Sequence, residues 1–151
     1  LLAGIATAAK LIKPSIRIIG VSIAQSPAML ESLKAGHPVA VAEKDTLADS
    51  LLGGIGVENH YTLPLIQHYV DEHVVITEEE IPAGMFYALA HHSLVIEGSA
   101  AVGIAALQTG KVTAQGERVG LVLSGSSVDL SQYLSVVNNF VDTTEGNHSQ
   151  H

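Results

Sequence analysis

Residues 119–131, Val119-Gly-Leu-Val-Leu-Ser-Gly-Ser-Ser-Val-Asp-Leu-Ser131, decide how the chain is read. Val119 to Leu123 is a short apolar run with the character of a buried strand. Ser124 to Ser127 is a Ser/Gly loop, and a helix follows with Asp129 or Ser131 near its start. In an open α/β sheet, ligands bind beyond the carboxyl ends of the strands. Glycine and small hydroxyl residues placed there let backbone approach a ligand and offer both O–H and N–H groups. The same stretch also reads as a strand-to-helix turn closed by an N-cap serine. Taken alone, it leaves both readings open.

Outward from this stretch the pattern alternates. Apolar runs predict strands over 16–23, 38–42 and 73–77, with a short apolar segment over 94–96 that ends at Glu97. The run 16–23 is almost continuously β-branched, as in a strand buried on both faces. Amphipathic spacing predicts helices over 1–12, 27–34, 46–52, 62–70, 98–109 and 130–141. Another helix should run from a Thr77/Glu80 capping box to about His91. Pro14 ends the first helix, and Gly36 and Gly110 lie where helix C-caps belong. Strands alternating with helices indicate βα units and a largely parallel sheet.

Composition narrows the class further. The chain has 151 residues, 47% hydrophobic and only 4% aromatic, so its core must be built from Ala, Val, Ile and Leu. Seven Lys+Arg against fifteen Asp+Glu give a formal charge of −8. No basic stripe suggests nucleic acid, and no long uncharged apolar run suggests a membrane span. Cysteine is absent, which removes disulfides and thiolate metal sites and agrees with a cytoplasmic protein. The opening residues read as the inside of a helix, with neither Met nor an N-cap. The expectation is therefore that residues before Leu1 are missing. Residues 142–151 are polar and aperiodic, which predicts a disordered tail.

Candidate chemistry rests on a few residues. Glu97 ends an apolar segment and begins a helix, so it either faces a ligand or complements the helix dipole. Gly53, Gly54 and Gly56 form a loop that can approach a ligand or simply turn, and no Gly-Lys-Ser/Thr follows as in a phosphate-binding P-loop. The N–H groups at Leu1 and Leu2 open a helix, a place suited to phosphate. The eight histidines lack metal-ligand spacing.

Three segments together resemble fold-type II pyridoxal phosphate enzymes. Leu1-Leu-Ala-Gly-Ile-Ala looks like the continuation of that family's glycine-rich phosphate loop. Leu94-Val-Ile-Glu-Gly-Ser-Ala-Ala-Val-Gly is similar to its Glu-led helix start, and Leu123-Ser-Gly-Ser-Ser-Val-Asp resembles its Ser-Gly-Gly-Asn-Val-Asp loop. Their order and spacing resemble the threonine/serine dehydratase branch. Glu31-Ser-Leu-Lys-Ala-Gly, Leu47-Ala-Asp-Ser-Leu-Leu-Gly-Gly-Ile-Gly and Glu97-Gly look most like hydroxyectoine-utilisation dehydratases. The resemblance implies a three-layer α/β fold of the tryptophan synthase β type, with a mostly parallel sheet and helices on both faces. Residues 1–141 would be the later part of its large cofactor-binding domain.

The resemblance also implies roles. Pyridoxal 5′-phosphate would be the cofactor. Ser124 would bond its pyridine nitrogen, with Gly125 beside it, and the Leu1 and Leu2 N–H groups would complete the phosphate cradle. Gly53 and Gly54 would line the pocket, and Glu97 would sit near the ring. The whole enzyme would be a homodimeric lyase that expels water from a hydroxy-amino acid and releases ammonia. The family's Schiff-base lysine lies upstream of the glycine loop, so no catalytic residue is expected here, and the preceding half would supply it. Three departures stand out. Ser126 and Ser127 replace Gly and Asn. Ser50 stands where relatives often have Gly. Ser22 and Ala28 replace acids of a cation site, so no metal is expected. The rival reading is a non-catalytic small-molecule-binding or interaction module that keeps the fold.

Overall fold

The computed structural model describes residues 1–114, 116 and 118–148. The chain divides into two compact units, Leu1–Asp45 with Leu51–Val75, and Thr46–Ser50 with Ile76–His151.

In the first unit, α1 (Leu2–Ile12) buries Ala3 and Ala6 and packs on α3 (Thr62–Tyr69). Pro14 stops α1 as expected. The residue before a proline is pushed out of the α region, and Lys13 is extended at φ −139° and ψ 92°. Strands β1 (Ile19–Ile23) and β2 (Glu72–Ile76) pair with each other. The Asp71 and Glu72 N–H groups both donate to the Ile18 carbonyl, at 3.0 and 3.3 Å, so the two strands start together and run parallel. Asp71 braces this corner. Its carboxylate accepts from the Ile18 N–H at 2.7 Å and from Lys10 Nζ at 2.8 Å, and these bonds hold its carboxyl below the usual range. Helix α2 (Ala28–Ala35) ends at Gly36 with φ 76°, the left-handed cap that glycine adopts without strain. The apolar interior includes Ala3, Ala6, Ile18, Ile23, Leu63 and Ile66.

In the second unit, the Thr77/Glu80 capping box forms, with the Thr77 N–H donating to Glu80 Oε2 at 2.7 Å. A 3₁₀ turn, Glu78–Glu80, then leads into α4 (Ile81–His92). α4 packs along α5 (Gly98–Gln108) through small residues. At Gly84 a Cβ would stand 2.5 Å from the Ala101 carbonyl oxygen, so the two backbones meet directly. Helix α6 (Leu130–His148) lies on α4, where the buried Tyr133 hydroxyl donates to the Met85 carbonyl at 3.2 Å.

The class is α/β, as expected, but three local expectations differ. Among the described residues the ladder is confined to β1 and β2, and 38–42, 94–96 and 119–123 join no sheet. A strand needs a neighbour's N–H and C=O groups. Val119, Leu121 and Val122, at 47, 42 and 56% exposed, have the composition of a buried strand without the cover. Within 46–52 only Asp49–Leu51 is helical, as a 3₁₀ turn, and Glu78 accepts from the Thr46 hydroxyl at 2.5 Å and the Leu47 N–H at 2.6 Å. α6 continues through 142–148, where a disordered tail was expected. Within it the Thr143 hydroxyl donates to the Asn139 and Phe140 carbonyls, both at 2.9 Å. Residues 149–151 of the expected tail lie outside the described residues. No helix among the described residues is long and apolar enough to cross a membrane.

Candidate functional site

Glu97 occupies the N-cap of α5, with φ −69° and ψ 160°. An N-cap side chain ordinarily accepts from the helix's own first-turn N–H groups. Glu97 makes no such bond. Its carboxylate turns instead to two distant segments. Oε1 accepts from the Ser50 hydroxyl at 3.0 Å, and Oε2 accepts from the Ser127 N–H at 3.1 Å. The Glu97 N–H donates to the Gly125 carbonyl at 3.2 Å. At the N-cap Glu97 still lies where a carboxylate complements the helix dipole, and it also ties two distant segments to the start of α5.

The loop after Leu123 is built around this carboxylate. A Cβ on Gly125 would lie 2.4 Å from Glu97 Cδ, so a side chain there would have to push the carboxylate aside. Ser124, next along the chain, is exposed. At the loop's end the Asp129 carboxylate accepts from the Ser131 hydroxyl and from the Gln132 N–H, the latter at 3.0 Å, and is held below its usual range by those bonds, so it caps the start of α6. On the other side, Gly98 abuts the Leu47 carbonyl, where a Cβ would stand at 2.2 Å. Together these contacts enclose a polar hollow of about 80 Å³ lined by Thr46, Asp49, Glu97, Ser127, Asp129 and Gln132. Ligand pockets run from roughly 300 Å³ upward. This hollow is well below that size. A larger hollow of about 470 Å³, lined by Tyr87, Leu94, Ile104, Leu121 and Leu123 among others, is largely apolar and touches none of the expected site residues.

Of the seven residues expected to face a cofactor, the structure joins Glu97 and Gly125 in contact and sets Ser124 beside them. Leu1, Leu2, Gly53 and Gly54 belong to the other compact unit. There, Leu2 opens α1 and packs by its Cδ2 toward Gly20, while Gly53 adopts φ 99° in the loop after the 3₁₀ turn. Sequence reasoning missed Ser50 and Ser127 as the partners of Glu97. The only signal was that both stand where the resembled family has other residues.

The donor set fits pyridoxal phosphate. A pyridine nitrogen needs one hydrogen-bonding partner, and a serine hydroxyl both donates and accepts. Ser124 offers that hydroxyl from a loop fixed by glycine and carboxylate.

The chain belongs to the pyridoxal-phosphate dependent enzyme family, whose pattern matches residues 1–125. It is similar to a Sinorhizobium fredii protein provisionally named a threonine dehydratase, at 47% identity over 96% of this chain and 44% of the relative. It also resembles the L-threonine ammonia-lyase of Geobacter sulfurreducens, at 40% identity over 91% of this chain and 34% of the relative. Among solved structures, the processed form of threonine deaminase isoform 2 from Solanum lycopersicum superposes with a TM-score of 0.79. The identity is 30%, covering 91% of this chain and 40% of that one. Maize serine racemase gives a TM-score of 0.77 at 27% identity, covering 96% and 45%. The chain thus spans less than half the length of the relatives it matches.

Proposed function

We propose that this chain forms part of a pyridoxal-phosphate lyase that eliminates water from a hydroxy-amino acid and releases ammonia. The relatives' names support a threonine- or serine-type substrate. The segments resembling hydroxyectoine-utilisation dehydratases support a hydroxyectoine-derived one within that class. The observation that supports the reading is the Glu97 carboxylate bonded to the 124–127 loop that carries Ser124.

When bound, the cofactor supplies the electron sink that carbanion chemistry at an amino acid's α-carbon requires. Ser124 orients the ring by one neutral hydrogen bond and places no charge opposite the nitrogen. Gly125 keeps the loop pressed on Glu97. In the first unit, the opening turn of α1 at Leu1 and Leu2 presents N–H groups suited to a phosphate, as the resemblance implies, and Gly53 and Gly54 keep the pocket-lining role that it implies. The preceding half of a longer polypeptide supplies the lysine, and the whole enzyme acts as a cytoplasmic homodimer.

The test is Ser124→Ala in the full-length protein, read by cofactor titration and by product release. We expect cofactor affinity to fall about tenfold, the worth of one well-placed hydrogen bond, with elimination falling alongside. Unchanged affinity and unchanged turnover would overturn the ring-nitrogen role. Borohydride reduction of the loaded protein, followed by intact mass, separates the lyase from a non-catalytic module. A pyridoxyl adduct supports the lyase, and a protein that takes up no cofactor refutes it.

A further inference from the structure

Glu97 spends each carboxylate oxygen on a different segment: Ser50, 47 residues away, and Ser127, 30 residues away. Ser50 also stands where the resembled family often carries glycine, which has no hydroxyl to offer. We propose that Ser50 is a positioning residue: by bonding Glu97 it fixes the 124–127 loop and, through that loop, the place of Ser124. The link to Ser124 rests on the lyase reading above, whereas the link to the loop does not.

Ser50 closes a segment that is bonded into the second unit at several points. The segment that carries it is held at its other end by Glu78, which accepts from the Thr46 hydroxyl at 2.5 Å and the Leu47 N–H at 2.6 Å. The Thr46 hydroxyl oxygen in turn accepts from the Ala48 N–H at 3.1 Å. The Leu47 carbonyl is seated against Gly98, the first residue of α5, leaving no room for a side chain. The Ser50 hydroxyl carries one proton and has two acceptors, Glu97 Oε1 at 3.0 Å and Asp49 Oδ1 at 3.3 Å. The shorter contact favours Glu97.

The carboxylate therefore stands between the Thr46–Ser50 strap and a Ser/Gly loop that has few side chains to fix it. Because hydrogen bonds to a charged acceptor are stronger than neutral ones, the strap's hold on Glu97 passes to the Ser127 N–H. With glycine at position 50, Glu97 would be held from the loop side alone. The loop would then sample more positions, and Ser124 would lose its register.

The experiment compares Ser50→Ala, Ser50→Gly and Ser50→Thr in the full-length protein. Hydrogen exchange of the Ser127 amide is read first without cofactor, and the cofactor's affinity and absorption band are read next. Ser50→Ala and Ser50→Gly should speed Ser127 exchange about tenfold and weaken cofactor binding about threefold, with a shifted band. Ser50→Thr should restore all three readouts. Unchanged Ser127 exchange in Ser50→Ala overturns the proposal, as does Ser50→Thr behaving like Ser50→Ala, which would mark a packing role. Faster exchange with unaltered affinity and band overturns the link to Ser124. A wild-type protein that takes up no cofactor defeats the lyase reading alone, and Ser127 exchange still decides the role of Ser50 in the loop.

Discussion

Replacing Gly84 with alanine puts a methyl group where α4 and α5 touch backbone to backbone. The added Cβ would stand 2.5 Å from the Ala101 carbonyl oxygen, with ordinary contact beginning near 3.4 Å, so α5 must yield about 0.9 Å. The obstacle is main chain in the middle of a helix, not the end of a flexible side chain, and it cannot step aside alone. Overpacking of this kind costs about 1–3 kcal/mol. Alanine's better helix propensity returns about 1 kcal/mol. The expected net loss is about 2 kcal/mol, near the upper end because backbone blocks the methyl. Gly4→Ala is the internal control. Gly4 is exposed in the first turn of α1 with nothing within 4 Å of its added Cβ, so propensity acts unopposed but less fully than in a helix interior and should stabilise by about 0.5 kcal/mol. Urea unfolding of the intact protein reads both. With a slope of about 2 kcal/mol per molar, the two midpoints should lie about 1 M apart or slightly more, with Gly84→Ala the lower. Equal midpoints at equal slopes would refute the direct α4–α5 contact.

Two further outcomes follow from the second unit. Tyr133→Phe keeps the ring but removes the hydroxyl that donates to the Met85 carbonyl, and it should cost about 1 kcal/mol in the same urea assay; a loss indistinguishable from zero would mean that packing alone seats α6. Burial opposes the charge on Glu80, but Lys111 Nζ at 2.6 Å and the Thr77 N–H at 2.7 Å outweigh it, so its carboxyl titrates below its ordinary 4.5. A carboxylate so depressed stabilises the fold above its unfolded pKa and loses that contribution as pH falls through the folded value. The melting temperature of wild type should therefore exceed that of Glu80→Gln near pH 6, and the gap should close as pH falls below 4.5 and through the lowered folded value. A gap independent of pH would sink the assignment.

What could be read from the sequence was what neighbours in the chain decide. Pro14 stops α1 because it acts on Lys13, one residue away. Gly36 caps α2, and Thr77 pairs with Glu80 within a single turn. The family resemblance was legible because its three motifs are local words in a fixed order. What was hidden depends on distant partners. Residues 119–123 have strand composition, but composition does not supply a neighbouring edge. Residues 46–52 have helical composition, yet Glu78, some thirty residues on, takes the Thr46 hydroxyl and the Leu47 N–H. Glu97 could be singled out by its position between an apolar run and small residues. Its two partners could not, since nothing near Ser50 or Ser127 announces a carboxylate lying 47 or 30 residues away.

The strap over Thr46–Ser50 makes the second unit discontinuous: the chain leaves it after Ser50 and returns at Ile76. Its bonds to Glu78 and Glu97 close loops of 31 to 47 residues, and such closures are formed against chain entropy. The packing of α4 on α5 involves far shorter separations and can form without them. Contacts of long range tend to form late in folding and break early. The strap should then be among the last parts of its unit to close and the first to open. Substitutions in it would speed unfolding while leaving the folding rate nearly unchanged, so that the lifetime of the folded unit, more than its speed of assembly, is written in Thr46, Ser50 and the two carboxylates that hold them.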